Sequence, residues 1–171
     1  MPDLNNKSRT KTIIMRMHRE YKDSDISFGE RPDIHIKKYG VGIEVTRAFS
    51  SQEGIFYANA RKEIWNPNQL LLNILTTGNA YIIENTEAII RRISKSIHRK
   101  AKKIKGYKAE NPWIKYLRLA VIIGYDLELY DLDLAISNLE YKDKVAFDGI
   151  YLIMPSYSFY FDGRVYVRVE E

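Results

Sequence analysis

The sequence predicts a mixed α/β domain with a partly antiparallel sheet. Three observations carry that expectation: two alternating apolar segments joined by Lys38–Gly40, a long amphipathic helix over Thr86–Ile104, and strand-like apolar runs after it at Leu117–Ile123 and Ile150–Met154. Residues 1–9 are polar and read as a loose arm. From Thr10 to Lys22 the residues Ile13, Ile14, Met17 and Tyr21 recur at helical spacing, which predicts a short amphipathic helix. Asp23–Pro32 reads as a polar connection. Asp33–Lys37 alternates with Ile34 and Ile36 on one face, and Val41–Thr46 alternates with Val41, Ile43 and Val45 on one face, so the pair predicts a β-hairpin.

Residues 48–84 carry turn clusters around Pro67 and at Thr76–Asn79, and Gln52–Trp65 has helical character; the segment is read as an insertion or lid within a single domain spanning 1–171. Asn85 or Thr86 can cap the following helix, Glu87 sits in its first turn and Gly106 supplies a stop. A short helix is expected over Leu132–Leu139. Closing strands are expected at Ile150–Met154 and Phe159–Val169, the latter turning at Asp162–Gly163.

A chain of 171 residues and 20.1 kDa can bury roughly 70% of its unfolded surface and needs no staple. The absence of cysteine excludes disulfides, thiolate zinc sites and a cysteine nucleophile. No uninterrupted apolar stretch exceeds the length of Leu119–Ile123, far short of the roughly 18 residues a membrane span needs, so a soluble, cytoplasmic protein is expected.

The net charge of +5 is unevenly placed. Arg91, Arg92, Lys95, Arg99, Lys100, Lys102, Lys103, Lys105 and Lys108 fall in one stretch without an acid, and the remainder holds 18 basic against 22 acidic residues. A local basic stripe on an otherwise mildly acidic protein is either the footprint of a polyanion binder or a solvated helix face.

The chemistry is concentrated in Pro32–Ile36 and Gly42–Thr46. If Ile34 faces Ile43 and Ile36 faces Val41, Asp33 falls opposite Glu44 on the other face. Like charges so placed repel by up to ~1 kcal/mol, and a divalent cation such as Mg²⁺ removes the conflict by taking both as oxygen ligands. The alternative is a slipped register that turns both acids to solvent.

Pro32-Asp33, a hairpin, and Glu44 within the apolar Gly42-Ile43-Glu44-Val45-Thr46 together resemble the PD-(D/E)XK nuclease superfamily, over about residues 15–155. The resemblance implies a central mixed β-sheet flanked by helices, a restriction-endonuclease-like core, and a Mg²⁺- or Mn²⁺-dependent endonuclease acting on DNA. It implies Asp33 and Glu44 as metal ligands. Glu20, sharing a helical face with Ile13 and Met17, would be the acid of the first helix, with Glu30 a rival. The position of the motif lysine is occupied by Thr46, and some members carry the lysine on another element. Ile90, Ile93, Ile97, Ile104 and Tyr107 form an inward stripe interrupted by Lys100. An inward lysine is costly unless it meets a carboxylate or phosphate, so Lys100 becomes the candidate catalytic lysine, with Lys103 next; the alternative is that Lys100 snorkels past Ala101.

Arg91, Arg92, Lys95, Arg99 and Lys103 would then hold the DNA backbone. The insertion would close over DNA or mediate a homodimer. His35 shares a face with Asp33 and is read as a hydrogen-bonding neighbour or an ordinary exposed strand residue. Tyr151, Tyr157, Tyr160 and Tyr166 are expected to pack across strands, with base stacking the alternative. Two other functions remain open: a non-catalytic nucleic-acid-binding or regulatory protein with the same fold, favoured by Thr46, and an α/β interaction protein whose basic helix meets an acidic protein.

Overall fold

The computed structural model describes residues 4–48 and 86–170. A seven-stranded mixed sheet runs in the order β1-β2-β3-β4-β5-β6-β7, formed by Ser27–Phe28, Ile34–Ile36, Val41–Arg47, Tyr116–Ile122, Ile150–Ile153, Tyr157–Phe161 and Tyr166–Glu170. The three central strands β3, β4 and β5 are parallel, and the outer pairs are antiparallel. Helix α1 (Leu4–Met17) precedes the sheet, and α2 (Thr86–Lys103) and the single turn α3 (Tyr107–Glu110) lie between β3 and β4. Helices α4 (Leu129–Ser137) and α5 (Tyr141–Lys144) lie between β4 and β5.

Helices cover both sheet faces, as parallel strands require. Ile13 and Ile14 of α1 pack with Ile34, Ile36, Val41, Ile43, Val45, Ala120, Ile122 and Ile153. On the opposite face Ile90, Ile93 and Ile97 of α2, with Leu132, Ala135 and Ile136 of α4, pack on Leu117, Leu119, Val121, Ile150 and Leu152. Strand β4 therefore reads as an apolar run from Leu119 to Ile122, where both of its faces are buried. The β2–β3 hairpin forms as its alternation predicts, with a tight turn at Lys37–Tyr39 closed by Gly40 in the left-handed region (φ 67°), where a side chain would be strained.

Several elements differ from the sequence expectation. Residues 4–9 are helical, not a loose arm, because Lys7 and Thr10 extend the buried face of α1 by two turns. The helix ends at Met17, not Lys22, and Tyr21 is buried from the turn that follows. The connection before Pro32 contains β1, two exposed residues that pair with β2 and leave no apolar pattern to read. Helix α4 begins and ends earlier than the expected Leu132–Leu139, and α3 and α5 are too short to show a period. Of the expected insertion or lid at 48–84, only Ala48 lies within the described residues; it is buried and its N–H bonds Ile122. Among the described residues no helix is long and apolar enough to cross a membrane.

The closing tyrosines serve packing. Tyr151 and Tyr160 are buried with ring centroids 4.7 Å apart, and Tyr166 stacks on Phe161 at 4.6 Å. The Arg168 guanidinium lies over the Tyr157 ring, 4.3 Å from its centroid. Beneath the end of α1, His18 Nε2 accepts from Tyr151 Oη at 2.8 Å and from Arg118 Nη1 at 3.1 Å. An arginine can only donate, so Nε2 is unprotonated and the neutral ring carries its proton on Nδ1, facing Glu20 Oε1 at 3.5 Å. Burial, reinforced by Arg118 and opposed by Glu20, pushes the His18 pKa down from 6.5 to about 4. Between those values the unfolded chain binds the proton that the folded state excludes, so stability falls as pH drops from 6.5 towards 4. Substitution His18→Gln is expected to flatten this slope in urea denaturation across that pH range, leaving the part due to His35, whose pKa is also lowered by burial.

Candidate functional site

The β2–β3 register pairs Ile34 with Ile43 and Ile36 with Val41, and continuing it by one residue sets Asp33 beside Glu44. Asp33 stands just before β2, and its Oδ2 accepts the Val45 N–H at 2.9 Å, so the carboxylate takes the place of a further ladder bond. The segment is held against β3 by a close approach at Gly42: a Cβ there would lie 2.7 Å from Pro32 Cγ and 3.2 Å from Ile114 Cδ1. Glycine is what allows Pro32, and hence Asp33, to sit so near.

Two lysines reach these acids from different helices. Lys7 of α1 places Nζ 3.0 Å from Asp33 Oδ1 and donates to the Gly29 carbonyl at 2.8 Å. Lys100 of α2 places Nζ 2.8 Å from Glu44 Oε2, and Tyr107 of α3 donates its hydroxyl to Glu44 Oε1 at 2.9 Å. The inward stripe of α2 therefore meets a carboxylate at the one position where it is not apolar.

The group is withdrawn from water: Asp33 is 3%, Glu44 2% and Lys7 9% exposed. Burial raises the Glu44 pKa, the negative charge of Asp33 adds to the rise, and Lys100 opposes it. Burial and the adjacent Glu44 likewise push the Tyr107 hydroxyl up, which keeps it a donor. Each carboxylate oxygen accepts at least one bond from the chain, so the four charges form a closed arrangement.

Asp33, Glu44 and Lys100 thus come together; Glu20 does not join them. The helical face that would carry Glu20 ends at Met17, and Glu20 is exposed beside His18, on the side of the sheet covered by α1. Glu30 lies in an exposed bend and Lys103 is exposed. His35 packs edge-on to Trp113 with ring centroids 5.0 Å apart, and its Nε2 is buried without a hydrogen-bond partner. Among the described residues no group of three His, Cys, Asp or Glu side chains converges as a metal cage. Thr46 is buried and accepts a bond from Arg99 Nη2 at 3.3 Å.

On α2, Arg91, Lys95, Arg99 and Lys103 are exposed and Arg92 is half-buried. Arg91, Lys95 and Arg99 succeed one another every fourth residue, giving a line of cations along the helix. Glu87 pairs with the first at 3.0 Å. Two members of the site, Lys7 and Tyr107, are not reached by reading the sequence. Lys7, Thr10 and Ile14 do share one helical face, a signal hidden when residues 1–9 are read as an arm, and Tyr107 reads as an apolar member of the α2 stripe.

Comparison with protein-family models, curated proteins and solved structures finds no match for this chain.

Removing one member of a buried pair strands the other. Lys100→Met and Glu44→Gln are each expected to lower stability by about 3 kcal/mol, with the double variant losing less than the two together, read by chemical denaturation. Gly42→Ala is expected to cost about 1–3 kcal/mol by driving Pro32 and Ile114 away from β3, measured the same way.

Proposed function

We propose that the chain is a metal-dependent nuclease that hydrolyses phosphodiester bonds in DNA, of the PD-(D/E)XK type that its Pro32-Asp33 and Glu44-Val45-Thr46 segments resemble. The observation that carries this reading is the delivery of Lys100, from a helix rather than from position 46, onto Glu44 beside Asp33. A mixed sheet with helices on both faces is compatible with the restriction-endonuclease-like core that the resemblance implies.

The donor set suits a hard divalent cation, since two adjacent carboxylates supply oxygen ligands and share a repulsion that such an ion relieves. Asp33 and Glu44 would hold Mg²⁺ or Mn²⁺, which when bound lowers the pKa of a water and stabilises charge on a phosphate. Each carboxylate oxygen is already bonded, so a bound ion would share these oxygens with the Lys7 and Lys100 ammonium groups. Lys100, tethered by α2, would orient the attacking water and offset charge developing on the phosphate. Tyr107 holds the other Glu44 oxygen and keeps the carboxylate from rotating. Arg91, Arg92, Lys95, Arg99 and Lys103 hold the DNA backbone without reading its sequence. Glu20 has no part in this scheme.

A second reading, a non-catalytic nucleic-acid-binding protein of the same fold, is favoured by the saturated carboxylates and by Thr46. Plasmid and single-stranded DNA cleavage with Mg²⁺ or Mn²⁺ separates the two. The nuclease reading expects metal-dependent cutting that drops by about 100-fold or more in folded Asp33→Ala, Glu44→Ala and Lys100→Ala. Salt-dependent DNA binding without cutting by the wild type under either metal would leave the binder. For both, replacing Lys95 or Arg99 by Ala is expected to weaken binding evenly across sequences and to reduce the salt slope by about 1 for each phosphate no longer neutralised.

A further inference from the structure

Arg118 lies on β4 opposite Ile43, so it belongs to the sheet face covered by α1, away from Glu44. Its guanidinium is largely withdrawn from water, and all of its hydrogen bonds among the described residues are made by one nitrogen. Nη1 donates to Tyr151 Oη at 2.9 Å, His18 Nε2 at 3.1 Å and Tyr21 Oη at 3.4 Å. Nε is buried and has no partner among the described residues. The guanidinium carbon stands over the Tyr160 ring, 5.5 Å from its centroid.

Among the described residues no carboxylate touches this guanidinium, and Glu20 reaches only the far side of the His18 ring. Lys7 and Lys100, two other withdrawn cations, each meet a carboxylate, whereas the groups around Arg118 are tyrosine hydroxyls and a neutral imidazole. The quadrupole of Tyr160 compensates only in part. A withdrawn cation without a counter-charge is costly, and the Nε–Nη2 edge left without hydrogen bonds is the fork that takes a carboxylate or phosphate side-on. The residues flanking His18 open onto a groove between the end of α1 and β7, lined by Met15, Arg16, Met17, Arg19, Val167 and Arg168.

We propose that Arg118, with His18, Tyr21 and Tyr151, forms a binding site for a small oxyanion, a phosphate or carboxylate group, on the sheet face opposite Glu44. The anion takes the free guanidinium edge, and the tyrosine hydroxyls can turn to donate to it. The site is independent of the nuclease reading and stands or falls without it.

The test is a titration of the full chain with inorganic phosphate, and in parallel with acetate, at ionic strength held constant with sodium chloride. The Arg118 Nε–H and His18 ring resonances are followed by NMR and the thermal midpoint alongside. A saturable shift of both resonances, with a higher midpoint than chloride gives, is expected for at least one anion, and the better of the two identifies the group bound. Arg118→Lys, which keeps the charge but loses the fork, is expected to weaken binding at least tenfold, and Arg118→Met to abolish it. Should those variants fail to fold, Tyr21→Phe, which removes one neighbouring hydroxyl, is expected to weaken wild-type binding severalfold. Absence of any saturable shift beyond chloride, or a phosphate response unchanged in Arg118→Met, overturns the proposal.

Discussion

The ion pair between Lys100 and Glu44 sets how α2 lies on the sheet, and much else follows from it. A half-buried ammonium, its side chain 17% exposed, has few acceptable positions, and Glu44 is the carboxylate that meets it on this side of β3. Docking Lys100 there fixes the rotation of the helix: Ile93 and Ile97 turn onto β4 and β5, and Arg91, Lys95 and Arg99 are forced outward in a line. Lys7 does the same for α1 through Asp33. Helices α1 and α2 are thus each pinned by one lysine to one of two neighbouring acids, an arrangement that specifies orientation more than it adds net stability, since desolvating four charges consumes most of the Coulombic gain.

The same arrangement leaves position 46 no acid to neutralise. Position 46 is buried on the α2 side, and the ammonium that Glu44 needs already arrives from α2. A second lysine from β3 would crowd a space that Thr46 now shares with Arg99. The cation beside Glu44 comes from α2 and not from β3, and the local charge balance is kept.

The parts of this molecule that could be read in the sequence are those in which one side chain pattern had one interpretation. The β2–β3 register was legible because a slip by one residue would have put Ile34, Ile36, Val41, Ile43 and Val45 on the wrong face. Lys100 was legible as a misfit in an otherwise apolar stripe. Lys7 was not, because its helix begins with polar residues, and the groups it meets, the Gly29 carbonyl and Asp33, belong to a stretch with no apolar alternation before β2. Glu20 misled for the opposite reason: its spacing from Ile13 and Met17 is helical, but the helix stops before it, and the chain turns to bury Tyr21. Tyr107 kept the three-and-four rhythm although Gly106, at φ 92°, breaks the helix ahead of it. Arg118 sits in a run of strand residues where a single polar position says nothing about which face it takes.

Because the seven strands lie side by side in the order in which they occur in the chain, the sheet divides by contact range. Residues 27–47 and 150–170 are two local meanders, each able to pair across short turns, whereas joining β3 to β4 requires closing the long connection from Ala48 through α2. Closure entropy grows only as the logarithm of length, so that connection tolerates many residues, but it must still be met before the parallel centre forms. Asp33, Glu44 and Lys7 belong to the local part, and Lys100 to the distant part. Lys7 supplies the charge beside Asp33 from within the local part, whereas the charge beside Glu44 comes only with the crossover helix, which couples closure of the sheet's centre to the burial of that acid.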